Sequence, residues 1–218
     1  MTGDLFDDLP PQGAASISPL APGAFLLHGF ACERAADLLQ AIDGLIAIAP
    51  LRHMLTPGGK AMSVAMSNCG PLGWVSDRTG YRYAALDPLS RQPWPAMPPS
   101  WLALAQSAAA QAGFAGFQPD ACLINVYVPG TRLSLHQDHD EADFSAPIVS
   151  VSLGLPAVFL FGSQSRSDKP ARHRLIHGDV VVWGGPSRLA FHGVAPLAGG
   201  EHPLLGSRRI NLTFRRAA

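Results

Sequence analysis

From Ala121 onward the chain breaks into short apolar or alternating runs separated by turn residues: 121–128, 147–154, 157–161, 174–177, 180–183, 188–192 and 208–215. Short strands at such regular spacing predict a β-sandwich or jelly roll. The earlier part of the chain has a different rhythm. Phe25-Leu26-Leu27 reads as a short strand. Ala31 to Ile48 places apolar residues at Ala35, Leu38, Leu39, Ile42, Leu45 and Ile46, which is the spacing of a helix face. Ser100 to Ala112 is Ala-rich and predicts a second helix, stopped by Gly113. Residues 70–99 are dense in Gly, Pro, Trp and Tyr with little periodicity, as in a long binding loop or lid. Residues 1–22 are rich in Asp, Pro, Gly and Ser and read as a flexible acidic tail. The expected fold is α+β, mainly β, in a single domain over 23–218. Residues 23–118 form its helical and lid extension and 119–218 its jelly-roll core.

The last strand has strict period two. In Arg209-Ile210-Asn211-Leu212-Thr213-Phe214-Arg215 the polar side chains share one face and the apolar ones the other. An edge strand with a wet face would look like this. So would the inner wall of a barrel whose two arginines present forks to carboxylates. Asn125 and Tyr127 stand in the same i, i+2 relation on an earlier strand and could extend that polar lining.

Composition narrows the class. With 218 residues, 47% hydrophobic and 15% charged, the chain can fill a core. Gly 22 and Pro 20 favour turns over a helical bundle. Sixteen basic and 16 acidic residues cancel, which argues against clamping long duplex DNA by charge alone. Setting aside Asp4, Asp7 and Asp8 leaves sixteen basic against thirteen acidic residues. Arg166, Lys169, Arg172, His173 and Arg174 cluster locally, as a solvated hairpin or as a rim that meets phosphates. Cys32, Cys69 and Cys122 are scattered and odd in number, so neither a zinc knuckle nor a disulfide framework is expected, and a reducing cytoplasm fits best. The acidic N-terminus lacks a signal pattern. The longest apolar stretch, Leu38 to Leu51, is interrupted by Gln40, Asp43 and Pro50, and no membrane span is expected.

The candidate chemistry lies in His136-Gln137-Asp138, followed by His192, Arg209 and Arg215. Side chains at i and i+2 of an extended segment point to one side, so His136 and Asp138 can grip one ion if a second strand delivers His192. Two imidazoles and a carboxylate that leave three coordination positions open suit ferrous iron in non-haem oxygenases. An arginine beside such a site fits an anionic cosubstrate. His177-Gly178-Asp179 repeats the His-x-Asp spacing but reads as a turn before Val180-Val181-Val182-Trp183. Thr56-Pro57-Gly58-Gly59-Lys60 is a turn and not a phosphate loop, since Ala61 follows the lysine. His28, His53, His173 and His202 are expected at the surface or in packing. Trp94, Trp101 and Trp183 are expected in the core, and Asp140, Glu141 and Asp143 could form a solvated acidic loop.

An ordered series of segments resembles a known family. It includes Thr56-Pro57-Gly58-Gly59, Met62 to Met66, Asn68-Cys69-Gly70, Gly73-Trp74, Pro93 to Pro98, Gln118 to Asn125, Leu133 to Asp138, Pro147 to Pro156, His177 to Gly185 and Asn211 to Arg215. The family is the iron(II)/2-oxoglutarate dioxygenases of the AlkB type. The resemblance implies a double-stranded β-helix core with a nucleotide-recognition lid, and the cofactors Fe(II), 2-oxoglutarate and dioxygen. It implies His136, Asp138 and His192 as metal ligands, and Asn125, Tyr127, Arg209, Asn211 and Arg215 as the 2-oxoglutarate site. Arg209 would take the far carboxylate and Arg215 the one next to the keto group. Trp74, Tyr81, Arg82, Tyr83, Asp140 and Arg166 match substrate-contact positions. Lys60 and His139 depart from the family pattern. The implied activity is oxidative demethylation of 1-methyladenine and 3-methylcytosine in single- or double-stranded DNA, with RNA as the other candidate, by a monomer. Decarboxylation of 2-oxoglutarate would drive methyl hydroxylation and formaldehyde release. The rival readings are a dioxygenase acting on a small molecule or protein, and a non-catalytic jelly-roll metal-binding module.

Overall fold

The computed structural model describes residues 16–218. The first fifteen residues of the expected acidic tail lie outside the described residues. The rest of that expectation is corrected, because Ile17–Ala21 (β1) pairs antiparallel with Ala24–Leu27 (β2). A Pro22-Gly23 turn joins them, with Gly23 at φ 75°, and Leu20 and Ala21 pack against a buried cluster.

A short 3-10 turn at Cys32–Arg34 leads into helix α1, Ala35–Ile48, and helix α2 spans Pro99–Gln111. Between them lie β3 (Ala65–Cys69) and a hairpin of β4 (Gly73–Asp77) and β5 (Gly80–Ala84). The remaining strands are β6 (Ala121–Tyr127), β7 (Leu133–His136), β8 (Ile148–Gly154), β9 (Ala157–Phe161), β10 (Ala171–Leu175), β11 (Val180–Trp183), β12 (His192–Val194) and β13 (Arg209–Arg215). One sheet has the order β1-β2-β11-β8-β13-β6-β3 and a smaller one the order β10-β9-β12-β7. Every pairing between these strands is antiparallel, as a jelly roll requires. Three strands of the large sheet come from before residue 119, so the expected division at 118/119 is not a structural boundary.

The helices cover one face of the large sheet. Leu38, Ile42 and Leu45 of α1 and Trp101, Leu104 and Ala108 of α2 pack with Ile124, Val151, Ile210, Leu212 and Phe214. Each such large side chain contributes about 1.5–3 kcal/mol on full burial. The apolar half of β13 belongs to this layer. Because β13 sits between β8 and β6, its polar half is forced into the space between the sheets, and all seven of its residues are buried. The wet-edge alternative for this strand is therefore excluded.

Candidate active site

Register sets the floor of the site. Arg209 pairs with Tyr127 and Asn211 with Asn125 on β6, while Asn211 pairs with Ser152 on β8. Period two then turns Tyr127, Asn125, Arg209, Asn211, Thr213 and Arg215 toward one cavity, which all of them line. Ser150 and Ser152 extend this floor: Asn211 Nδ2 donates to Ser150 Oγ (2.8 Å) and Arg209 Nη2 to Ser152 Oγ (3.0 Å). The alternation Val149-Ser150-Val151-Ser152-Leu153 is the sequence signal for these two hydroxyls.

The cavity measures about 750 Å³, within the range of small-molecule sites. On its opposite wall β12 pairs with β7 so that His192 faces His136. Asp138 follows just beyond the end of β7. Gly193 permits this closeness, because a Cβ there would stand 2.7 Å from the Leu133 carbonyl oxygen. The ligand atoms of His136, Asp138 and His192 all lie within 4.8 Å of one another. His136 Nε2 is 3.7 Å from Asp138 Oδ1, and His192 Nε2 is 3.7 Å from Asp138 Oδ2. His136 Nδ1 donates to Ser134 O (2.8 Å) and His192 Nδ1 to Ala190 O (3.0 Å). Both Nε2 lone pairs are therefore left for a cation, the tautomer that a metal site needs.

Electrostatics agrees with the geometry. Burial pushes the His192 pKa down to about 3, with His136 adding to the effect. Burial alone would raise the Asp138 pKa, but Arg215, His192 and His136 outweigh it and hold the carboxyl well below the usual range. The donors are thus a neutral imidazole and an ionised carboxylate, a set that fits a divalent first-row metal.

The floor fits a dicarboxylate. Arg209 is 1% exposed, and its Nε and Nη1 have no partner among the described residues, while burial pulls its pKa down. Asn125 Oδ1 is also buried without a partner among the described residues. Arg215 lines the same cavity and also reaches the metal set. Its Nε and Nη2 both donate to Asp138 Oδ2 (2.8 and 2.6 Å), so its fork orients the carboxylate of the metal set.

The substrate-contact candidates divide. Trp74 and Tyr81, on the β4–β5 hairpin, stack at 5.7 Å and line the cavity. Trp74 Nε1 donates to Asp140 Oδ2 (2.8 Å), and Asp140, Arg166, Lys60 and His139 also line it. Arg82 and Tyr83 are not among the residues that line the cavity. Arg82 is paired with Asp77 of its own hairpin (2.8 Å), away from the cavity lining. Tyr83 donates to Glu141 (2.6 Å). Alternation turns Arg82 to the face opposite Tyr81 and Tyr83, and Tyr83 lies nearer the hairpin base. Residues 70–99 are expected as a loop, but residues 73–84 form this hairpin and Pro99 opens helix α2. The solvated-loop alternative fails at Glu141, which is 6% exposed and paired with Arg188 at 3.0 Å.

Two expected strands shift. The run at 174–177 is a strand at Ala171–Leu175, and that at 188–192 is largely turn before His192–Val194. Arg172 and Arg174 are exposed on β10. The His177–Asp179 segment is a turn: Asp179 accepts from Gly29 and Ile176, and His177 from Gly154. Trp94 and Trp101 are buried as expected. Trp183 is buried too, but it also lines the cavity 4.9 Å from the His192 ring.

The profile of the 2OG-Fe(II) oxygenase superfamily matches residues 23–215. This chain belongs to that superfamily. It is 58% identical over 215 residues to alpha-ketoglutarate-dependent dioxygenase AlkB of Salmonella typhimurium (strain LT2), covering 99% of this chain and 98% of that protein. It is 56% identical over 214 residues to the protein of the same name from Escherichia coli (strain K12), covering 98% and 97%. The solved structure of OsALKBH1 superposes with a TM-score of 0.81 at 28% identity, over 92% of this chain and 100% of that one. As a member of the superfamily the chain is a dioxygenase that uses Fe(II), 2-oxoglutarate and dioxygen.

Proposed function

We propose that this dioxygenase removes methyl groups from 1-methyladenine and 3-methylcytosine in DNA, single- or double-stranded, with RNA as the other candidate substrate. The supporting observation is one cavity that joins a His-Asp-His donor set, an unpartnered buried arginine and a stacked aromatic pair at its mouth. The relatives named AlkB at 56–58% identity support the same chemistry. A metal-binding module would have no use for Arg209. The Trp74–Tyr81 platform suits a planar base, and the comparators below test a small-molecule substrate against it.

In this reading His136, Asp138 and His192 hold the iron. Arg209 holds the far carboxylate of 2-oxoglutarate, with Tyr127, Asn125 and Asn211 beside it. Iron, 2-oxoglutarate and dioxygen together supply the oxidation of a methyl C–H bond, which no side chain here can perform. The overall conversion takes a methylated base, dioxygen and 2-oxoglutarate to the restored base, formaldehyde, succinate and carbon dioxide. Trp74 offers a flat face to a base drawn out of its stack, worth about 1–3 kcal/mol. The methylated bases are cationic, so the ring face and the Asp140 carboxylate favour substrate over neutral product. Arg166, whose guanidinium lies 5.6 Å over the Phe191 ring at the cavity wall, meets the phosphate backbone. All these groups come from one chain, so a monomer suffices. No described helix is long and apolar enough to cross a membrane.

The test is formaldehyde release from a 3-methylcytosine oligonucleotide, dependent on Fe(II) and 2-oxoglutarate, with methylated small molecules and peptides as comparators. Trp74→Ala is expected to lower kcat/KM on the oligonucleotide roughly 5- to 150-fold, the equivalent of the lost stacking. Parental activity of that variant, or faster turnover of a comparator, contradicts the reading.

A further inference from the structure

Arg188 was not singled out by any pattern in the sequence, and it does not line the cavity. It is nevertheless 3% exposed, and each arm of its guanidinium is engaged. Nη1 donates to the main-chain carbonyl of Asp138 (2.8 Å), Nε to that of Ala146 (3.0 Å), and Nη2 to Glu141 Oε2 (3.0 Å). The group also lies 5.3 Å over the Phe144 ring. All four partners belong to the irregular segment that begins at Asp138. Arg188 itself sits in the turn that delivers His192. The neighbouring Leu189 carbonyl accepts from Gln137 Nε2 (2.6 Å), and the Ala190 carbonyl accepts from His192 Nδ1. Three consecutive residues, 188 to 190, therefore hold the backbone of one metal-ligand segment and the ring of another.

We propose that Arg188 is a positioning residue that fixes Asp138 relative to His192 by clamping residues 138–146 onto the 188–190 turn. This rests on the metal-site reading above. Asp138 lies outside any strand, so no ladder hydrogen bonds hold its backbone. Arg215 orients its carboxylate, and Arg188 fixes the peptide that carries it. Glu141 completes the clamp by accepting from Arg188 on one oxygen and from Tyr83 on the other, which ties the lid hairpin to the same point. A lysine could reach one of the three oxygens but not all of them.

The experiment titrates the metal-free protein with Co(II), followed by visible absorption, and measures deuterium uptake of amides 139–146. Thermal unfolding establishes that each variant is folded at the temperature used. Arg188→Met leaves the buried Glu141 with only Tyr83 and, at 3.4 Å, Arg215, and can fail for that reason alone. The decisive variants are therefore Arg188→Lys and the charge-balanced pair Arg188→Met with Glu141→Gln. Both are expected to bind Co(II) roughly 10- to 100-fold more weakly, the usual consequence of losing support behind a ligand. Faster exchange confined to 139–146 should accompany the loss. Folded variants that keep parental Co(II) affinity overturn the proposal, even if less heat-stable. His192→Ala is the control. If it leaves Co(II) affinity unchanged, the metal-site reading fails; if it abolishes binding while the Arg188 variants bind normally, only the clamp fails.

Discussion

Arg209 is buried with two guanidinium nitrogens unpaired among the described residues, and a buried unpaired cation is costly unless an anion completes it. Arg209→Met removes that demand and the specificity with it. The apparent affinity for 2-oxoglutarate should fall by at least about thirtyfold, corresponding to about 2 kcal/mol or more for a lost buried charge pair. Co(II) affinity should stay at the parental value, since Arg209 touches no metal donor. Equilibrium binding of both ligands to the same variant checks this. His192 and Asp138 give a pH prediction. Both have folded-state pKa values below their ordinary ones, so the unfolded chain takes up protons first as pH falls. Their contribution to the stability of metal-free protein is therefore complete above pH 6.5. It is lost first at His192, as pH falls from 6.5 toward 3, and at Asp138 at more acid pH. The loss should be on the order of a few kcal/mol, seen as a falling urea midpoint. A midpoint that is flat or rising across that interval contradicts the assignment. The identity of the donors was legible in the sequence because His136 and Asp138 are two apart. Arg188 was not, because a buried arginine bonded to backbone carbonyls leaves no periodic or motif signal.

Strand β13 was legible in full, down to which side chains share a face, because period two is unambiguous over seven residues. Only pairing with β8 and β6 could decide that its polar face was interior. The β4–β5 hairpin was hidden because Gly, Trp, Tyr and Arg mix without an apolar alternation, and its order comes from Trp74–Asp140 and Tyr83–Glu141 bonds made across the fold. Strand β7 was hidden for a related reason: Leu133-Ser134-Leu135-His136 is only four residues long. Its partner β12 depends on Gly193. Gly193→Ala would drive a methyl group into the β7 backbone at Leu133 and Ser134. The strands must then part, and His192 withdraws from His136. The expected outcome is a Co(II) affinity lowered by at least about tenfold, with a stability loss of about 1–3 kcal/mol. Calorimetry with and without Co(II) separates the two effects, and an unchanged Co(II) affinity would show that the two strands tolerate separation.

The large sheet carries Arg209, Asn211 and Arg215 and the small sheet carries the imidazoles, so the proposed site would draw on both layers. Ligands that bind the folded form alone add stability by mass action. The jelly-roll architecture was legible from strand spacing. The contribution of β1, β2 and β3 was not, since each is short and lies beyond a helix or turn from its partners in the sheet. The most direct test of the account is an anaerobic titration of the metal-free protein with Fe(II) and 2-oxoglutarate, following the visible charge-transfer band of the chelate. The account predicts a band that saturates at one equivalent of iron, requires both components, vanishes in His192→Ala and needs far more 2-oxoglutarate in Arg209→Met. A band that survives in His192→Ala, or that is indifferent to Arg209, would show that these residues do not form one site.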